Sequence, residues 1–91
     1  MKLKWTEEAV SDLQDIHAFI AKGSVCYADR QVEHIISIEE QLKAFPESGR
    51  AVPEYESTQV RELIIDRYRV IYRLKNDVIE ILTVIHGARL L

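Results

Sequence analysis

The sequence predicts one α+β domain with the element order β-α-α-β-β-β, and three observations carry the prediction. A short alternating segment opens the chain, and two stretches with apolar residues at helical spacing follow it. Beyond residue 59 the pattern changes to runs rich in Val, Ile, Leu and Tyr. There is no internal repeat and no linker, so residues 1–91 are read as a single domain. A chain of this size buries only about 60–65% of the surface its unfolded form exposes. Nearly every apolar residue must therefore serve one core, stability is modest, and a partner can supply part of it.

The first strand is Lys2-Leu3-Lys4-Trp5, where period two puts Leu3 and Trp5 on one face. Thr6 then offers its hydroxyl as an N-cap, with Glu7 and Glu8 in the first turn, where the helix dipole favours negative charge. Ala9, Leu13, Ile16 and Ile20 make one apolar stripe on a helix that ends near Lys22 and Gly23. Ser24 is a second N-cap. From it Val25, Ala28, Val32, Ile35, Ile38, Leu42 and Phe45 predict about six turns of amphipathic helix, which Pro46 and Ser48-Gly49 end. The short break at Gly23 predicts an antiparallel helical hairpin.

Residues 46–59 form a polar connection longer than a compact domain usually keeps without a use for it. Three strands follow, at Val60 to Asp66, Tyr68 to Lys75 and Val78 to His86, with Asn76-Asp77 as a tight hairpin turn between the last two.

Composition excludes several classes. The chain is 47% hydrophobic and 30% charged with a net charge of −3, which argues against disorder. No segment approaches the roughly 18 consecutive apolar residues of a membrane span, and Met1 to Glu8 lacks the apolar region of a signal peptide. With Cys26 the only cysteine, no internal disulfide forms, and a soluble, unprocessed protein of the reducing cytoplasm is expected. His17 and His34 lie on separate helices without metal-ligand spacing, and no glycine-rich phosphate loop exists. Neither a metal nor a cofactor is expected.

The strand at Tyr68 to Lys75 puts Tyr68, Val70, Tyr72 and Leu74 on one face and Arg69, Ile71, Arg73 and Lys75 on the other. The first face is predicted to join the core and the second to present basic charge, with Arg61 contributing from the strand before. Residues 1–49 hold five Lys/Arg against nine Asp/Glu, net −4, and residues 50–91 hold seven against six, net +1. Acidic helices and an arginine-bearing sheet should thus present different surfaces. Such arginines either keep a sheet soluble or bind an anion, a nucleic acid or an acidic protein. The overall acidity, with a pI of 5.6, speaks against a domain devoted to DNA binding.

Val60-Arg61-Glu62-Leu63, the strand Tyr68-Arg69-Val70-Ile71-Tyr72-Arg73 and the closing Ile85-His86-Gly87-Ala88-Arg89 resemble the RelE/ParE superfamily of toxin-antitoxin toxins. Trp5-Thr6-Glu7-Glu8-Ala9 with Asp12-Leu13 and Ile16, and the turn from Pro46 to Gly49, extend the resemblance over essentially the whole chain. It implies a helical hairpin packed on an antiparallel sheet. It also implies a cognate antitoxin, ParD-like or similar, whose carboxy-terminal segment folds on binding and through which alone operator DNA is reached.

Two activities occur in that superfamily, and the residues are weighed between them. RelE-like members cleave mRNA on the ribosome; here Glu54 would be the base, Arg69 the phosphate contact and His86 the acid. ParE-like members, important in plasmid stabilisation, poison DNA gyrase. Residues 46–59 contain no lysine and one arginine, Arg50, where RelE-like enzymes carry a lysine cluster. The short ending His86-Gly87-Ala88-Arg89 is similar to the ParE-like branch. The resemblance therefore implies a ParE-like gyrase poison without chemistry of its own, with Arg61, Arg69, Arg73, His86 and Arg89 binding target or antitoxin. A ribosome-dependent endoribonuclease is the second reading, and a degenerate, non-toxic antitoxin-binding module the third.

Overall fold

The computed structural model describes residues 1–87. Strand β1 spans Lys2–Trp5, and helices α1, α2 and α3 span Glu7–Ala21, Val25–Ile36 and Ile38–Ala44. Strands β2 to β5 follow at Arg50–Ala51, Val60–Ile65, Tyr68–Lys75 and Val78–His86. They form one five-stranded sheet in the order β1-β5-β4-β3-β2. Helices lie on one face, as expected. The sheet is antiparallel from β2 to β5, and β1 joins in parallel alongside β5, which makes it mixed.

Both predicted N-caps form: the Thr6 and Ser24 hydroxyls accept the N–H of Ala9 at 3.2 Å and of Tyr27 at 3.1 Å. The Thr6 hydroxyl also donates to the Ile81 carbonyl at 2.8 Å, which ties the start of α1 to β5. The predicted six-turn second helix is instead two helices. At Ser37 the hydroxyl donates to the His34 carbonyl at 2.6 Å, and such back-bonding bends a helix and lets α3 turn toward β1. There the Trp5 indole N–H donates to Glu39 at 2.8 Å.

The core packs Ala9, Leu13, Ile35, Ile38 and Leu42 against Val70, Tyr72, Ile79, Ile81 and Val84. In β5 the register against β4 shifts by one residue beside Ile71 and Tyr72. This bulge lets Ile81 and Val84 both face the helices while Leu82 turns to the opposite face. Asp12 of α1 accepts the Val84 N–H beside the bulge at 2.9 Å and also the Thr83 hydroxyl.

The connection after α3 is pinned rather than loose. The Tyr72 phenol donates to the Pro46 carbonyl at 2.8 Å and accepts the Gly49 N–H at 2.9 Å. A Cβ at position 49 would lie 2.5 Å from that phenol oxygen and 2.8 Å from the Glu62 carbonyl oxygen, so the chain passes only as glycine. Asn76 and Asp77 both have positive φ, as a tight two-residue hairpin turn requires.

Candidate functional site

The outer sheet face, away from the helices, is not the uniformly basic surface expected. Register places Arg50 beside Glu62, Glu62 beside Ile71, and Ile64 beside Arg69. All project from the same side, because paired residues share a face. The connection between β2 and β3 returns over this face. Val52 seals a small apolar cluster with Val60 and Ile71, and Leu82 packs against it.

Beside that cluster Arg69 is 6% exposed and Glu62 1%. The Arg69 Nε donates to Glu62 at 2.7 Å, and its Nη1 and Nη2 reach the two oxygens of Glu54 at 2.9 and 2.8 Å. The second oxygen of Glu62 accepts from Arg50 Nε at 2.7 Å. Among the described residues, two arginines and two carboxylates thus alternate in one ion-paired chain. The Glu54 hydrogen bonds, supported by Glu62, raise the Arg69 pKa despite burial, so the guanidinium stays charged. Burying such a group is tolerable only because each fork has its carboxylate.

The structure brings together two of the three residues read as nuclease machinery. Glu54 and Arg69 do meet, but they bind each other. His86 pairs with Tyr68 in the register and shares its helix-side face, with the rings edge-on at 5.8 Å. Arg69 pairs with Ile85 and points through the other face. One layer of backbone separates the imidazole from Glu54 and Arg69.

The other predicted binding residues have separate fates. Arg61 is on the helix side, where Nη1 donates to the carbonyls of Glu47 at 3.2 Å and Gly49 at 3.0 Å and holds the turn before β2. Arg73 is half-exposed and bonds Glu80 through Nε and Nη2, at 3.0 and 2.7 Å, which draws the Glu80 pKa down. Arg89 and the rest of the carboxy-terminal tail lie outside the described residues.

Sequence reasoning missed Glu62 and the partnership of Arg50. A signal existed: Glu62 shares its strand face with Val60 and Ile64, and a carboxylate amid apolar neighbours needs a cation. A cleft of about 300 Å³ borders Arg50, Glu54, Ile64 and Arg69. A larger groove of about 730 Å³ lies at the far end of β4, between Phe45, Pro46, Leu74 and Met1, and no predicted site residue lines it. Among the described residues no cluster of His, Cys, Asp and Glu fits a metal ion, and no helix is long and apolar enough to cross a membrane.

Comparison with known proteins gives a consistent result. The sequence model of the ParE toxin of the type II toxin-antitoxin system parDE matches residues 3–91. The Y4kP protein of Sinorhizobium fredii is 36% identical over 86 residues, covering 94% of this chain and 88% of its own length. Toxin RelE2 of Caulobacter vibrioides is 29% identical over 87 residues, covering 94% of both chains. Among solved structures, the chromosomal ParDE toxin-antitoxin system of P. aeruginosa superposes with a TM-score of 0.78 at 27% identity, covering 94% of this chain and 95% of that one. The RelBE2 toxin-antitoxin complex of Mycobacterium tuberculosis shares the fold, with a TM-score of 0.66 at 19% identity over 93% of this chain and 95% of that one.

Proposed function

The chain belongs to the ParE toxin family of type II toxin-antitoxin systems, and from that premise we propose that it arrests growth by binding DNA gyrase and trapping its cleaved-DNA complex. The observation that carries this reading is the ion-paired cluster of Arg50, Glu62, Arg69 and Glu54 on the outer face. Metal-free RNA cleavage needs a base, an acid and a cation converging on one phosphate. Here the candidate cation is buried against two carboxylates, one of them the candidate base, and the candidate acid is across the sheet. A toxin that works by binding needs none of the three.

The antitoxin belongs to the same reading, and the similarity to solved toxin-antitoxin complexes supports it. The helical hairpin leaves Phe19, Val25 and Tyr27 largely exposed near its turn. Lys22 lies over the Phe19 ring and Arg30 over the Tyr27 ring, both at 5.8 Å. Large apolar side chains grouped on a surface mark a protein contact. An antitoxin segment that folds on binding would cover them and add to the stability of a small domain.

The purified chain should inhibit gyrase supercoiling and accumulate cleaved DNA while leaving ribosome-bound mRNA intact. Cleaved mRNA with untouched supercoiling would replace this reading with the endoribonuclease. Growth unaffected by high-level expression without antitoxin would replace it with the non-toxic module.

A further inference from the structure

Parallel pairing of β1 with β5 creates a surface at the other end of the outer face. Leu3 and Trp5 pack on the core, so Lys2 and Lys4 project outward with the outward residues of β5 and β4. Lys4 is the register partner of Glu80, which in turn pairs with Arg73; Lys2 and Lys75 flank Val78. Lys2, Lys4, Arg73 and Lys75 thus surround one carboxylate, Glu80, with Asp77 at the turn beyond. Lys2, Lys4 and Lys75 are exposed. The charges of Lys4 and Lys75 both act on Glu80 and help Arg73 keep it ionised. This concentration of positive charge stands on a chain whose net charge is −3.

We infer that this patch is a contact for the phosphate backbone of duplex DNA, an inference that rests on the gyrase reading because that target holds DNA. The chemistry favours a nucleic acid over a protein. Lysine is depleted from protein interfaces, whose affinity comes from buried aromatic and apolar anchors. Val78, the apolar residue between Lys2 and Lys75, is only partly exposed. Phosphate contacts need only exposed cations on a firm support. Alternate residues on a strand are about 7 Å apart and neighbouring strands about 4.8 Å, so Lys2 and Lys4 stand about 10 Å from Lys75 and Arg73. Those spacings are comparable to the Debye length of about 8 Å at physiological salt, so the cations act on a strand of phosphates together. The contact carries no base specificity and is weak alone. It gains effect where gyrase holds the DNA beside the toxin and raises its effective concentration.

The test uses the full chain without gyrase, a labelled short duplex and fluorescence anisotropy across a salt series. Four phosphate contacts give a log-log salt dependence with a slope of about −3.5, and the variant Lys2→Gln/Lys4→Gln/Lys75→Gln should flatten it to about −1 and weaken binding. Glu80→Gln, which removes the central negative charge, should strengthen binding, so the expectation includes a gain that no unfolded variant can mimic. The inference is overturned if the triple variant, with wild-type melting, keeps wild-type affinity and slope. It is also overturned if single-stranded RNA of equal length binds more tightly through the same lysines, or if only an acidic peptide does. A chain that binds duplex through the patch yet leaves supercoiling untouched defeats the gyrase reading and not the patch. Equal gyrase trapping by the wild type and the triple variant defeats the patch and not the gyrase reading.

Discussion

Arg69 and Arg73 leave the same strand in the same direction, four residues apart, and end in opposite circumstances. Arg69 is held by Glu62 and Glu54 beneath the connection that follows β2, with its side chain 7% exposed. Arg73 stands in the open with its side chain 38% exposed and Glu80 as partner. The covering chain makes the difference. Val52 anchors it over Val60 and Ile71, which draws Glu54 onto Arg69 and takes that end of the sheet out of water, and no segment does the same for Arg73 among the described residues. One half of the face has become structure, with Arg69 buried between two carboxylates. The other pairs Arg73 with Glu80 and leaves Lys2, Lys4 and Lys75 exposed.

The largest expected effect comes from removing Arg69. Arg69→Met leaves Glu62 buried beside Arg50 and removes two hydrogen bonds from Glu54, and losing one partner of a buried network costs about 3–5 kcal/mol. Arg73→Met should leave the urea midpoint almost where it is, since an ion pair open to water contributes little. Equal shifts in the two denaturation curves would show that burial does not distinguish the sites.

Next in size is the turn that carries the covering chain. Gly49→Ala places a methyl group against the Tyr72 phenol and the Glu62 backbone. Tyr72→Phe leaves the Gly49 N–H and the Pro46 carbonyl without their buried partner, at a cost of about 1–3 kcal/mol. Both should loosen residues 50–54 before the helices respond. Hydrogen exchange would record this as faster exchange at Arg50 and Val52 with protection in α1 retained. Uniform loss of protection would mean that the covering chain and the core unfold as one unit.

These features were legible to different degrees. The caps at Thr6 and Ser24, the hairpin turn at Asn76-Asp77 and the inward set Val70 and Tyr72 follow from local periodicity and turn chemistry, and the structure reproduces them. The break at Ser37 was hidden, because the apolar stripe runs unbroken through Ile35, Ile38 and Leu42 while a hydroxyl competes for the backbone. The burial of Arg69 was hidden for another reason. Alternation assigns a residue to a face but says nothing of what later chain returns to cover it. The parallel placement of β1 is likewise a long-range fact, and without it Lys2 and Lys4 count only as part of the acidic half of the sequence.

The smallest effect belongs to an exposed carboxylate that joins helix to sheet. Asp66, in the left-handed turn between β3 and β4, accepts from Gln31 Nε2 at 2.9 Å and lies 2.8 Å from His34 Nδ1. Both contacts, Gln31 first, lower its pKa below the ordinary carboxylate range. An unfolded Asp titrates at roughly 3.9, so this tether contributes fully above that pH and is lost as pH falls through the lower folded value. Stability should therefore decline on the acid side, where Asp66 takes up its proton, and Gln31→Ala should raise the Asp66 pKa and move that decline to higher pH. Carboxyl-carbon NMR titration of the two proteins reads the shift directly. Identical titration curves would mean that the amide of Gln31 does not hold the carboxylate in solution. The tether between α2 and the β3–β4 turn would then rest on His34 alone, and Gln31→Ala should leave the acid limb of the stability curve where it stands in the wild type.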